Sequence, residues 1–90
     1  MTNAITEAGG IEEVVEIINV SKNGGASGYF GGTDTREPEE MAGQYAWEAA
    51  DESGYTDDES IEAQLDFLVA AGAEFDFSKA LENAISQKKQ

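Results

Sequence analysis

No cysteine and no histidine occur in this chain of 90 residues, and it has only one proline and five lysines and arginines. Without cysteine there are no disulfides, thiolate metal ligands or thiol nucleophiles, and nothing points to a redox compartment. Without histidine the commonest general base near neutral pH is gone, as is the commonest transition-metal ligand, which removes the usual triads, zinc sites and haem sites. Long apolar runs are lacking too. The longest, Phe67-Leu68-Val69-Ala70-Ala71, is far short of the roughly 20 residues that cross a bilayer, and no basic segment with an apolar core follows Met1. These absences lead to the expectation of a soluble cytoplasmic protein. The few cations face 19 acids, giving a net charge of −14 and a pI of about 4.1. Such a polyanion is repelled by nucleic acid and by anionic membranes, so neither is expected as a direct partner, and the natural partner is basic.

What is present supports one domain spanning residues 1–90, because two separate cores in a chain this short would each be too small to hold together. Apolar residues make up 40%, but 13 of them are alanine, so the core is thin and self-repulsion should make the fold more stable in salt. Residues 1–10 are small and polar, end in Gly9-Gly10, and read as a flexible arm. Ile11, Val14, Val15 and Ile18 fall on one helical face, with Glu12, Glu13 and Glu16 on the other. The same β-branched residues, followed by Asn23-Gly24-Gly25, also suit a short hairpin at about residues 13–31, the α+β alternative. Residues 23–32 hold five of the ten glycines. They lack the Gly-Lys-Ser/Thr of a phosphate-binding loop and read as a connector pinned by Tyr29 and Phe30.

Thr33-Asp34-Thr35 offers helix caps, and Pro38 is tolerated in a first turn, so a helix is predicted from near Arg36 to about Asp51, with Trp47 half-buried at its edge. Gly54 suits the left-handed residue that ends it. Thr56-Asp57-Asp58-Glu59 reads as a capping box for the next helix, whose inner face is Ile61, Leu65, Leu68 and Val69 and whose stop is Gly72. Phe75 and Phe77 alternate with acids and point inward. Asp76 or Ser78 caps a last helix carrying Leu81, Ala84 and Ile85, with Lys88 and Lys89 at its negative end. The predicted fold class is mostly α, a compact single domain of three to four short helices with a Gly-rich connector.

Asp51 to Glu62 invites comparison with a twelve-residue calcium loop. The comparison fails where that loop needs glycine, because the sixth position is Thr56, and again at its fifth and eighth positions, Tyr55 and Asp58. Glu59 and Glu62 are a carboxylate pair one turn apart, but they lie opposite the core positions, where solvation leaves neither poised as an acid. No catalytic residue, metal site or cofactor is expected, and the chain reads as a non-enzyme. The acids are instead patterned. Between Asp34 and Asp66 there are twelve acids and one base, Arg36. Glu48, Asp51 and Glu52 share one helical face; Glu59, Glu62 and Asp66 share another. Carboxylates a turn apart are spaced by about 5–6 Å, similar to successive phosphates on a nucleic-acid strand, and lysine does not interleave to offset their repulsion. A halophilic surface or a generic acidic adaptor would have the same composition.

Small size, the absence of histidine and cysteine, and stripes of Asp and Glu on a compact scaffold give the chain a character that resembles the phage-encoded anti-defence proteins, especially the DNA-mimicking anti-CRISPR proteins. The resemblance implies a stoichiometric inhibitor acting in a bacterial host. Such a protein would occupy a basic channel of a CRISPR-Cas effector complex and block target DNA or guide RNA binding. The expected contact surface is Glu48, Asp51, Glu52, Tyr55, Asp57, Asp58, Glu59, Glu62 and Asp66, with Tyr55 and Trp47 as candidate anchors.

Overall fold

The computed structural model describes residues 4–22 and 36–89, and of Ser21 and Lys22 only the backbone. It contains five helices: α1 (Ala4–Glu7), α2 (Ile11–Lys22), α3 (Pro38–Glu52), α4 (Asp58–Ala70) and α5 (Phe77–Lys88). The protein is mostly α, as predicted, with one more helix than the upper expectation and no strand among the described residues. The hairpin alternative fails over residues 13–22, which are helical. Its remainder, together with the Gly-rich connector, Tyr29, Phe30 and Thr33-Asp34-Thr35, lies outside the described residues.

The extra helix corrects the reading of residues 1–10 as an arm from residue 4 onward, residues 1–3 lying outside the described residues. Residues 4–7 form a turn of helix that packs on α3, with Ala4 and Ile5 buried. One apolar side chain is too little for periodicity to register, yet burying it against α3 is enough to hold the turn in place.

Helix α3 is the hub, touching α1, α2, α4 and α5 and packing most extensively on α5. Its composition explains this. Ala42, Ala46, Ala49 and Ala50 make a low inner face, and Met41 and Tyr45 fill the larger gaps. At Gly43 the backbones of α3 and α5 approach so closely that a Cβ would lie 2.8 Å from the carbonyl oxygen of Ala80 and 3.1 Å from the nitrogen of Ala84. Val14, Ile17 and Ile18 of α2 and Ile61, Leu65 and Leu68 of α4 complete the core. Trp47, Phe75, Phe77 and Leu81 pack partly buried against it, as predicted. Val69, expected inside, is 45% exposed.

The helix ends carry most of the local logic. Helix α3 starts with Pro38 at its first position behind Glu37, whose side chain makes no capping bond. Its far end closes through Gly54, with φ +84°, where the Gly54 N–H donates to Asp51 O and the Tyr55 N–H to Ala50 O. The cap of α4 is Asp57, one residue later than the predicted box: its Oδ1 accepts from the Ser60 N–H at 2.8 Å and its Oδ2 from the Ser60 hydroxyl at 3.2 Å. Asp76 caps α5 through the Lys79 N–H. The connection between α4 and α5 is tied down at two points, where Asn19 Oδ1 accepts from the Glu74 N–H and Glu39 Oε1 from the Asp76 N–H, both at 3.0 Å.

Candidate functional site

The predicted surface residues divide into three groups according to what their carboxylates already do. Asp57 and Asp58 are committed to the fold. Asp57 is the α4 cap, and its bonds to Ser60 hold its carboxyl below the ordinary 3.8. Asp58 forms a salt bridge with Lys88 of α5 at 3.1 Å, joining the start of one helix to the end of another. Both also sit at the positive end of the α4 dipole, where acids stabilise a helix without any partner.

The second group lies at the other end of α3. Glu48, Asp51 and Glu52 occupy its last turns, where no basic residue is present and the dipole disfavours negative charge. Glu48 accepts a hydrogen bond from Gln44 Nε2 at 3.0 Å, and Gln44 in turn accepts from Arg36. Glu52 is half-buried, and its Oε2 is shielded from solvent with no hydrogen-bond partner among the described residues. Burial raises its pKa above the ordinary 4.5, and the carboxylates of Glu7, Glu48 and Asp51 raise it further. Glu7 belongs to α1, so the short first helix adds a fourth acid to this end of α3. Tyr55, in the five-residue link between α3 and α4, is 62% exposed.

The third group is the outer face of α4. Glu59, Glu62 and Asp66 are all exposed and together with Ala63 line one shallow depression. Beside it runs an open cleft of about 490 Å³ between α4 and the α1–α2 junction, lined by Ile5, Thr6, Gly10, Ile11, Ala63, Gln64 and Phe67. Phe67 is 59% exposed. Sequence reasoning did not single it out, although a signal existed: it lies six residues after Ile61, some 240° round the helix and away from the buried face. Glu7 carried no comparable signal, because its approach to Glu52 is made by tertiary packing.

The stretch Asp51–Glu62 is no ligand loop. Asp51 and Glu52 finish α3, and residues 58–62 are already helical, which points the carboxylates outward along two helices. Among the described residues no three Asp or Glu side chains converge on a point that could hold a metal ion. Likewise, no helix among them is long and apolar enough to cross a membrane.

Glu52 and Asp57 give stability two opposite pH dependences. A carboxyl whose pKa is raised on folding binds more protons folded than unfolded just above pH 4.5, so its share of stability falls as pH rises through that window. Glu52→Gln is therefore expected to raise the melting temperature at pH 7, with the gain vanishing below about pH 4.5. Asp57 contributes stability that is present above 3.8 and lost as pH falls below it. Asp57→Ala is expected to lower the melting temperature at pH 7 by several degrees, and the difference from the parent should shrink in acid. Melts of both variants from pH 3 to 8 check the two signs. The chain matches no protein-family model, no curated protein and no solved structure.

Proposed function

We propose that the protein is a stoichiometric inhibitor that binds the basic, nucleic-acid-binding surface of another protein or complex as a nucleic-acid mimic. A CRISPR-Cas effector is the target class that the resemblance to DNA-mimicking anti-CRISPR proteins suggests. One observation carries this reading: Glu48, Asp51 and Glu52 stand at the negative end of α3 against the helix dipole, and Glu7, Glu48 and Asp51 crowd Glu52 with like charge. Local stability does not account for that placement, as it does for Asp57 and Asp58. A basic surface would relieve the repulsion on binding, so the charges would favour the complex more than they favour the free fold. Glu59, Glu62 and Asp66 extend the negative surface along α4.

The carboxylates thus divide into those that cap or bridge helices and those, Glu48 with its bond from Gln44 included, that do neither. Glu48, Asp51, Glu52, Glu59, Glu62 and Asp66 form the contact set, with Tyr55 between its two parts. Long-range attraction would speed encounter, and paired Arg–carboxylate bonds would then orient the complex. A second reading, an acidic adaptor without mimicry, is favoured by the exposure of Tyr55 and Phe67, aromatic groups of the kind that anchor protein interfaces.

The two readings part in a displacement experiment. The tagged protein is used to capture partners from bacterial lysate, and the captured complex is challenged with duplex DNA. Mimicry predicts that a nucleic-acid-handling protein is recovered and that DNA releases it, because both compete for one basic surface. Retention of the partner in excess DNA would favour the adaptor.

A further inference from the structure

The open cleft beside α4 has mixed walls, in which apolar side chains alternate with Thr6 and Gln64, and it is acidic along one rim. Ile5 and Ile11 come from the α1–α2 junction, and Phe67 and Ala63 from α4. Ala63 belongs both to the cleft and to the depression lined by Glu59, Glu62 and Asp66, so the two surfaces share an edge. On α4 the acids follow i, i+3, i+7, and Ala63 and Phe67 run beside them at i+4 and i+8. The cleft is open to solvent, which suits an inserted side chain better than an enclosed small molecule.

We infer that this cleft receives an apolar side chain from a basic segment of the partner, whose lysines or arginines, spaced one helical turn apart, lie against Glu59, Glu62 and Asp66. The inference rests on the basic-partner reading and adds an anchor to it. Charge selects this occupant over two others. A second copy of the chain would bring another net charge of −14 against the rim. Residues 23–35 of the chain itself contain Tyr29 and Phe30 but no lysine or arginine, and their one charged residue is Asp34, so they offer nothing to complement the three acids. The anchor also fixes register, because a stripe of charges repeated every turn can slide by one turn with its Arg–carboxylate pairs re-formed, whereas a filled cleft holds one position.

The probes are two synthetic helical peptides with the same lysines at i, i+4 and i+7. One carries leucine on the adjoining face and the other alanine there. Fluorescence anisotropy against the full chain is expected to show the leucine peptide binding roughly tenfold tighter. Ala63→Trp fills the cleft from an exposed position without altering charge, and should erase that advantage, read as the ratio of the two peptides' affinities for the same variant because Ala63 also borders the acidic depression. Circular dichroism verifies that this variant is folded, and Phe67→Ser, which removes a wall instead of filling the space, should reduce the same advantage. Equal affinities of the two peptides for the parent, or an advantage that survives Ala63→Trp, would overturn the anchor while leaving the basic-partner reading standing. Failure of both peptides to bind at low salt would overturn both. Self-association of the parent that Ala63→Trp abolishes would assign the cleft to a second copy and likewise overturn the proposal.

Discussion

Replacing Glu59, Glu62 and Asp66 together by lysine is expected to weaken partner binding at least a hundredfold, or about 3 kcal/mol, while the helical fold persists. The size follows from sign inversion: each substitution removes an attraction to a basic surface and installs a repulsion, and like charges across an interface cost several kcal/mol in sum. The fold survives because all three side chains are exposed and the exchange reduces the excess of negative charge. Glu59 carries a small cost, since lysine in the first turn opposes the dipole by about 0.3–1 kcal/mol. The same exchange at Asp57 and Asp58 would be a poor test of binding. It would remove the α4 cap and the salt bridge to Lys88, and lost binding would then be inseparable from a loosened helix. Titration of a captured partner against parent and triple variant, alongside their circular dichroism, reads both quantities.

The largest effect on the fold is expected at Gly43. Alanine at an ordinary helical position would stabilise relative to glycine by about 1 kcal/mol. Here its Cβ would meet the carbonyl oxygen of Ala80 at 2.8 Å and Asn83 Cβ at 3.0 Å, and a backbone oxygen cannot swing aside. Relief requires α3 and α5 to separate, and theirs is the most extensive helix contact in the molecule. Valine adds two further methyl groups to the clash. Gly43→Val is expected to cost about 3 kcal/mol or more, lowering the melting temperature by roughly 12–24 °C for a domain of this size. A melt within a few degrees of the parent would mean that the seam between α3 and α5 is looser than described.

Residues whose structure is decided within a turn or two of themselves were readable from the sequence. The stop at Gly54 and the inner face Ile61-Leu65-Leu68 depend on local hydrogen bonds or on helical periodicity, and each stands where the pattern put it, while of the two caps offered for α5, Asp76 and Ser78, the structure takes Asp76. The α4 cap moved by one residue because Thr56 and Asp57 are both good cappers, and only the final geometry chooses between them. Val69 is exposed because it lies 100° beyond Leu68, at the edge of the buried stripe, where inclusion depends on how closely a neighbouring helix approaches. Helix α1 was illegible, since a single turn has no stability of its own and owes its place to Ile5 meeting the core.

The proposed contact set was legible in part. Helical spacing alone grouped Glu59, Glu62 and Asp66, and the structure keeps them on one exposed face. Spacing could not reveal that Asp58 is engaged within the fold, because its partner is Lys88, thirty residues away. Nor could it find Glu7 beside Glu52, or the cleft that joins Phe67 to Ile5 and Ile11, since each brings together separate stretches of chain.

The central claim is that carboxylates on α3 and α4 occupy a surface that otherwise holds nucleic acid. Its most direct test is the equilibrium binding of a captured partner, measured against increasing salt with and without competing duplex DNA. The account predicts that affinity falls steeply as salt rises and that DNA displaces the protein in proportion to its own affinity for the partner. Affinity that is nearly flat in salt and indifferent to DNA would contradict it.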